Sequence, residues 1–126
     1  MAAYLDTNCV LWLYSGEYRR FSVAARDAIE QFDLLIAPVI QLELQYLYEA
    51  KRIVLTPDTI ITYLMRTAGA RYCEIPYLAV MEAALGLIWT RDPFDRLIVA
   101  SAIANQNAPL ITADRQIRKH YSEVIW

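Results

Sequence analysis

The segment Ala2-Ala3-Tyr4-Leu5-Asp6 places a short apolar run directly before an acidic residue. The run predicts a buried first strand, and Thr7 to Ser15 then continues as a helix that we expect to end near Gly16. A strand followed at once by a helix is typical of α/β proteins, in which helices connect parallel strands. Asp6 would then lie at the carboxyl end of a strand, where such proteins gather functional groups.

The same alternation of apolar runs and helical stretches continues to the end of the chain. Proline supports it, because Pro38, Pro57 and Pro93 can each occupy the first turn of a helix. Further strands are predicted at 34–37, 71–75, 109–112 and 123–126, and helices at 23–32, 38–52, 57–68, 76–86 and 94–105, with a short one opening at Asp114. This order indicates a mainly parallel sheet in an α/β sandwich, and a single domain over residues 1–126.

Composition excludes several classes of protein. The 126 residues are 57% hydrophobic and 21% charged, which is too apolar for a disordered chain. The longest uncharged apolar run, Leu34 to Ile40, is too short to span a bilayer, and Met1 to Asp6 does not resemble a signal peptide, so we expect a cytoplasmic protein that does not engage a membrane. Cys9 and Cys73 are too few for a disulfide framework and are expected to be buried thiols. A net charge of -2 argues mildly against broad electrostatic binding of nucleic acid, although a metal-binding carboxylate cluster would itself lower the charge.

Glu43 lies inside an apolar helical stripe. Its neighbours three and four positions away are Val39, Ile40, Tyr46 and Leu47. A carboxylate in such a place is costly unless it is paired, protonated or bound to a cation. The residue alone favours neither a functional carboxylate nor one that reaches water or an arginine.

The other notable acids stand at predicted helix starts. Asp92 precedes Pro93 as an N-cap does, and Asp95 lies in the following first turn, where its charge favours the helix dipole. Capping alone also explains Asp6 or Asp114 taken singly. Taken together, the acids are stronger evidence for a functional site than any one of them alone. Asp6 and Asp114 follow strands that would end at the same edge of the sheet, and the helices that carry the other acids would flank that edge.

Three motifs of the chain resemble motifs of one known family. Tyr4-Leu5-Asp6-Thr7-Asn8 is similar to the opening motif of PIN domains, Asp92-Pro93-Phe94-Asp95-Arg96-Leu97-Ile98 resembles the signature of the VapC branch of toxins, and Leu110-Ile111-Thr112-Ala113-Asp114 resembles the closing motif. Glu43 stands at the family's position for a conserved glutamate, and the resemblance covers essentially the whole chain. One departure is Ile40-Gln41-Leu42-Glu43, which lacks the Ser or Thr that is frequent ahead of the glutamate.

The resemblance implies a three-layer α/β/α sandwich and an endoribonuclease that uses Mg²⁺ or Mn²⁺, the toxin of a toxin–antitoxin pair. Its hard carboxylate ligands suit either ion. Asp6 and Asp95 would be the principal ligands, Glu43 would bind the ion through water or orient the nucleophile, and Asp114 would complete the site or hold a second ion. The chain has one histidine, His120, which we expect on the surface, so no histidine pair is present for metal-free cleavage.

Other residues would support this site. Thr7, Asn8, Asp92 and Thr112 would hold the carboxylates by hydrogen bonds, although capping and turn bonding explain them equally well. The arginines beside the motifs would contact RNA phosphate, although a solvated or paired charge is the default for each: Arg91, Arg96 and Arg115. The family also implies a homodimer and a cognate antitoxin, and it places the antitoxin groove at the helices that contain Trp12, Leu13, Tyr14, Phe21 and Val23 to Ile29. We expect most of these residues to be ordinary core, and any exposed subset would dock an amphipathic helix.

Two alternatives compete with this interpretation. A phosphorelay receiver would need paired acids at the first strand and a lysine near the last one, whereas only Asp6 follows the first strand and neither Lys51 nor Lys119 fits. A PIN-like module that binds RNA or protein without cutting is the stronger rival. The presence of all four acids argues against a degenerate site, and cleavage by wild type but not by Asp95→Asn would separate the two.

Overall fold

The structure, a computed structural model, describes residues 1–126 and contains every strand and helix that the sequence predicts. In chain order these are β1 (Ala2–Leu5), α1 (Thr7–Tyr14), α2 (Val23–Gln31), β2 (Asp33–Ile36), α3 (Val39–Glu49), α4 (Pro57–Ala68), β3 (Arg71–Tyr72), α5 (Tyr77–Leu85), α6 (Pro93–Ala104), β4 (Leu110–Ile111), α7 (Arg115–His120) and β5 (Val124–Ile125). A 3₁₀ turn at Tyr18–Arg20, which the sequence did not predict, lies between α1 and α2.

The five strands form one parallel sheet in the order β3-β2-β1-β4-β5. Leu5 at the end of β1 pairs with Ile36 on one side and with Ile111 on the other. The chain moves outward from β1 to β2 and β3, and later returns to place β4 on the opposite side of β1. The order of strands therefore reverses between β1 and β4, and the crevice beyond the carboxyl ends of strands at such a point is where α/β sheets bind ligands.

The central strands are buried, as expected of a parallel sheet that helices cover. In β1 and β2, Ala3 to Leu5 and Leu34 to Ile36 are at most 4% exposed. They belong to one hydrophobic core that also contains residues of α1, α3, α4 and α6. A smaller apolar cluster joins α5 to α6 through Val80, Ala84 and Ala100. The core therefore holds the ends of β1 and β4, and the middle of α6, in fixed positions.

Most boundaries lie within one residue of the predicted ones, and the two larger differences have identifiable reasons. Helix α3 ends at Glu49 instead of Arg52, because Lys51 adopts a left-handed φ of 60° and the Arg52 N–H donates back to the Leu47 carbonyl at 2.9 Å. Strand β3 has only two residues, because its partner β2 ends at Ile36.

No helix has both the length and the apolar character needed to cross a membrane.

Candidate active site

Asp6 lies at the junction of β1 and α1, in the crevice between β1 and β4. Its backbone N–H donates to the Ile111 carbonyl of β4 at 3.3 Å, and its side chain caps α1 by accepting the Cys9 N–H at 2.8 Å. The second carboxylate oxygen accepts a hydrogen bond from the Thr112 hydroxyl. Asp6 is only 6% exposed, so this carboxylate is held in one orientation inside the protein.

Thr112 connects Asp6 to the second acid of the crevice. It follows β4 and is fully buried, and its Oγ1 accepts the Asp114 N–H at 3.0 Å while its hydroxyl proton points to Asp6. Asp114 caps α7 by accepting the Ile117 N–H at 2.9 Å. The capping roles predicted for Asp6 and Asp114 are thus confirmed, and one threonine joins the two strand ends.

Glu43 reaches the same region from the middle of α3. It is partly buried, and the Thr7 hydroxyl of α1 donates to its Oε1. This contact bears on the departure noted in the sequence, where α3 lacks a Ser or Thr ahead of the glutamate. The hydroxyl that orients Glu43 comes from a neighbouring helix, and no residue of α3 is needed to supply it.

Asp92 and Asp95 stand at the start of α6. Asp92 is exposed and acts as the N-cap, accepting the N–H groups of Phe94 and Asp95 at 2.9 and 3.3 Å. The Asp95 side chain is partly buried and accepts no hydrogen bond from the protein. Of the four principal acids, Asp95 is therefore the one whose carboxylate oxygens have no partner within the chain.

The electrostatics show that these acids act on one another. Burial raises the pKa of Asp6, and the charge of Asp114 adds to that effect, against hydrogen bonds from Thr112 and Cys9. Burial likewise raises the pKa of Glu43, with repulsion from Asp92 and Asp6. The pKa of Asp95 rises to about 7 through burial and through the charges of Asp92, Asp114, Glu43 and Asp6.

No cation compensates this charge. The one ion pair of the structure joins Arg20 to Glu17, on the 3₁₀ turn and away from these acids. Clustered carboxylates without a basic partner are unfavourable in a folded protein unless something else neutralises them. The repulsion between the like charges of these acids is therefore not compensated within the chain.

The acids do not, however, converge into a ready-made ligand set. No group of three or more His, Cys, Asp or Glu side chains is arranged as a metal site. Asp6 and Asp114 accept hydrogen bonds from the helices that they cap, and Glu43 accepts one from Thr7. These hydrogen bonds leave lone pairs free, because each carboxylate oxygen accepts more than one bond.

The chemistry of the available donors fits Mg²⁺ or Mn²⁺, since all are hard carboxylate oxygens. Cys9, the nearest sulfur, does not belong to the set. Its thiol donates to the Ile111 carbonyl at 3.4 Å, and burial raises the pKa of the Cys9 thiol far above its usual range.

The three predicted arginines lie in different surroundings. The Arg96 guanidinium donates to the carbonyls of Ala84, Leu85 and Thr90 at 2.8, 3.4 and 3.5 Å, so it ties the end of α5 to the loop that follows. Arg91 and Arg115 are exposed, and neither forms an ion pair. Asn8 is exposed and its side chain makes no hydrogen bond, in contrast to Thr7 and Thr112.

The helices predicted to lie at the docking groove divide between core and surface. Leu13, Phe21, Ala25 and Ala28 are buried, and Trp12, Tyr14 and Ile29 are partly buried against the core. Val23 is 70% exposed. Two features near the acids were not predicted from the sequence. The Thr90 hydroxyl accepts the Asp92 N–H at 3.1 Å, and the rings of Trp89 and His120 stack on each other.

The chain is similar in sequence to known proteins. The family model described as PIN domain matches residues 3–123. Ribonuclease VapC22 of Mycobacterium tuberculosis (strain ATCC 25618 / H37Rv) is 37% identical over 123 residues, which cover 92% of this chain and 89% of the relative.

Solved structures show the same fold. VapBC2 from Rickettsia felis, bound to a DNA fragment from its promoter, aligns with a TM-score of 0.65 at 17% identity, covering 99% of this chain and 96% of that one. VapBC-1 from nontypeable Haemophilus influenzae aligns with a TM-score of 0.62 at 20% identity, covering 100% and 96%. At such identities the likeness concerns the fold alone.

Proposed function

The chain belongs to the PIN-domain family, in its VapC-type branch, and from this premise we propose that it is a metal-dependent endoribonuclease that acts as the toxin of a toxin–antitoxin pair. The observation that carries the proposal is the placement of Asp6, Glu43, Asp95 and Asp114 around the β1–β4 crevice without any basic partner. Its 37% identical relative is a ribonuclease.

Four uncompensated carboxylates create a strong preference for a cation. Asp95 has oxygens with no partner in the chain, and Asp6 is oriented by Thr112, so these two would hold Mg²⁺ or Mn²⁺. Asp114 would complete the site or hold a second ion. A bound divalent ion supplies positive charge next to the scissile phosphate and promotes ionisation of water.

The residues around the ion would control orientation and proton transfer. Glu43 orients the attacking water and accepts its proton, because burial raises the pKa of this carboxyl above its usual range and improves it as a base. The hydroxyls of Thr7 and Thr112 keep Glu43 and Asp6 in one rotamer, which reduces the reorganisation that cleavage requires. Asp92 acts by capping α6, which fixes the backbone that carries Asp95.

The substrate is RNA, and Arg91 and Arg115 are the arginines free to meet its phosphates. Arg96 instead holds the loop after α5, since its guanidinium is directed to backbone carbonyls. A cognate antitoxin is the expected protein partner, and two structural neighbours are VapBC structures. We expect a homodimer as well, which light scattering of the free protein would test.

The test is RNA cleavage by the partner-free protein with Mg²⁺, with Mn²⁺ and with chelator. Wild type should cleave only with metal, and Asp6→Asn should not cleave. Asp58→Asn is the matched control, because Asp58 is an exposed acid in the first turn of α4 and should cleave like wild type. Cleavage that persists in Asp6→Asn, or in chelator, would contradict the proposal. RNA binding without cleavage or metal binding would favour the rival binding module.

A further inference from the structure

An aromatic stack lies beside the carboxylate site and has no part in the chemistry proposed above. The ring centroids of Trp89 and His120 are 4.9 Å apart, and the two rings are nearly parallel, with an interplanar angle of 11°. Trp89 is partly buried, whereas His120 is exposed. One ring of the stack is therefore anchored against the protein, and the other presents itself to solvent.

Each ring of the stack belongs to a segment that leads to one of the acids. Trp89 is followed by Thr90, whose hydroxyl accepts the Asp92 N–H at 3.1 Å and whose carbonyl accepts a hydrogen bond from Arg96 at 3.5 Å. The start of α6, with Asp95 beside Arg96, thus holds the loop that carries Trp89. His120 is the last residue of helix α7, which Asp114 caps at its other end. Six helical residues rise roughly 9 Å, so the stack lies within a few nucleotide lengths of the acids.

Unpaired cations lie on the same short helix as the exposed ring. At 100° per residue, Arg115 and Lys119 lie opposite the buried Ile117 and Arg118 lies 100° from it, whereas His120 lies 60° from Ile117 on the other side. All three cations are exposed, and none of them forms an ion pair. This local positive strip contrasts with the net charge of -2 of the whole chain.

We propose that the Trp89–His120 stack is a platform for one base of single-stranded RNA, next to the nucleotide at the acidic site. The base stacks on the outer face of His120, and the flanking phosphates follow the cations of α7. An exposed aromatic ring beside a basic strip is the combination that binds single strands without reading their sequence. Because Trp89 already orients the imidazole, little side-chain entropy is lost on binding. The inference rests on the proposed function and deepens it.

The test measures binding of a short fluorescein-labelled single-stranded RNA in chelator, where cleavage is not expected. His120→Ala should weaken binding between about fivefold and about a hundredfold, the range for one base stacked on an aromatic side chain. His120→Tyr keeps a ring and should bind like wild type. Gln116→Ala is the matched control on the same exposed helix, and should also bind like wild type. An RNA with an abasic nucleotide should remove the difference between wild type and His120→Ala.

The outcomes separate this proposal from the function beneath it. If wild type cleaves RNA and His120→Ala binds equally well, the platform is refuted and the ribonuclease proposal stands. Equal weakening by His120→Tyr and His120→Ala refutes stacking, because the ring then contributes nothing. Wild type that neither binds nor cleaves RNA overturns both proposals. Thermal denaturation of each variant checks the fold, which the exposed position of His120 should leave intact.

Discussion

Replacing Asp95 by Asn should make the metal-free protein more stable, although it should abolish cleavage. Asp95 accepts no hydrogen bond from the chain, and its charge is opposed by four neighbouring carboxylates. Asn removes this charge at nearly constant shape. A site arranged for a cation therefore costs stability when the cation is absent.

The magnitude follows from the pKa of Asp95, which folding raises from 3.8 to about 7. Three pKa units correspond to an upper limit of about 4 kcal/mol in the free energy of unfolding. Since Asp95 is only partly buried, solvent screening reduces this to roughly 1–2 kcal/mol. The substitution also removes a favourable charge at the start of α6, which lowers the gain in stability by about 0.5 kcal/mol. The net gain is about 1 kcal/mol, or roughly 4 °C in Tm.

The pH dependence has a definite sign. The unfolded chain ionises Asp95 near pH 3.8, whereas the folded chain does so near pH 7, so the stability of wild type falls as the pH rises between these values. The advantage of Asp95→Asn should be absent at about pH 4 and complete at about pH 8.

The assay is urea unfolding in chelator at both pH values, with Asp58→Asn as control. Asp58 is also an acid in the first turn of a helix, but it is exposed, so its replacement should give no gain at either pH. Addition of Mg²⁺ or Mn²⁺ should stabilise wild type more than Asp95→Asn. Loss of stability in Asp95→Asn at pH 8, or a gain of equal size at both pH values, would refute the reasoning.

Three further outcomes are expected. Asp6→Asn should lower kcat/KM for RNA at least about a hundredfold at unchanged circular dichroism, because the metal loses a principal ligand; a smaller loss would remove Asp6 from that role. Thr112→Val should lower the free energy of unfolding by about 2 kcal/mol, since Asp6 and the Asp114 N–H both lose a buried partner. Urea titration should find Thr112→Ser close to wild type, and an equal loss in both variants would assign the effect to packing. Asp92→Ala should lower the free energy of unfolding by about 1 kcal/mol by removing the cap of α6, whereas Asp92→Ser should retain most of the cap's contribution. Calorimetry that finds no difference between the two variants would contradict the capping role.

Much of the fold could be predicted because its signals are local. Asp6, Asp92 and Asp114 each cap a helix as their positions indicate, and every predicted strand is present. The larger errors concern where two elements end. Strand β3 ends early because β2 offers no further residues, and α3 ends early because Lys51 takes a left-handed conformation.

The candidate acids were also accessible from the sequence, through their motifs and their places after strands and at helix starts. Their hydrogen-bond partners were not. Nothing local pairs Thr7 with Glu43, or Thr112 with Asp6, because these contacts join residues distant in sequence. Arg96 illustrates the same limit, since its position beside Asp95 suggested phosphate binding, whereas the structure directs it to backbone carbonyls.

The sequence by itself determined the alternation of strands and helices, the caps, and the identity of the acids, because these depend on periodicity and on residues a few positions apart. Only the tertiary structure decided that β4 returns beside β1, which brings Asp6, Thr112 and Asp114 into one crevice. It also decided that Trp89 meets His120. The physical reason is that long-range neighbours are selected by burial of the whole core, and their chemical consequences, a raised pKa or an oriented ring, arise only after that core has formed.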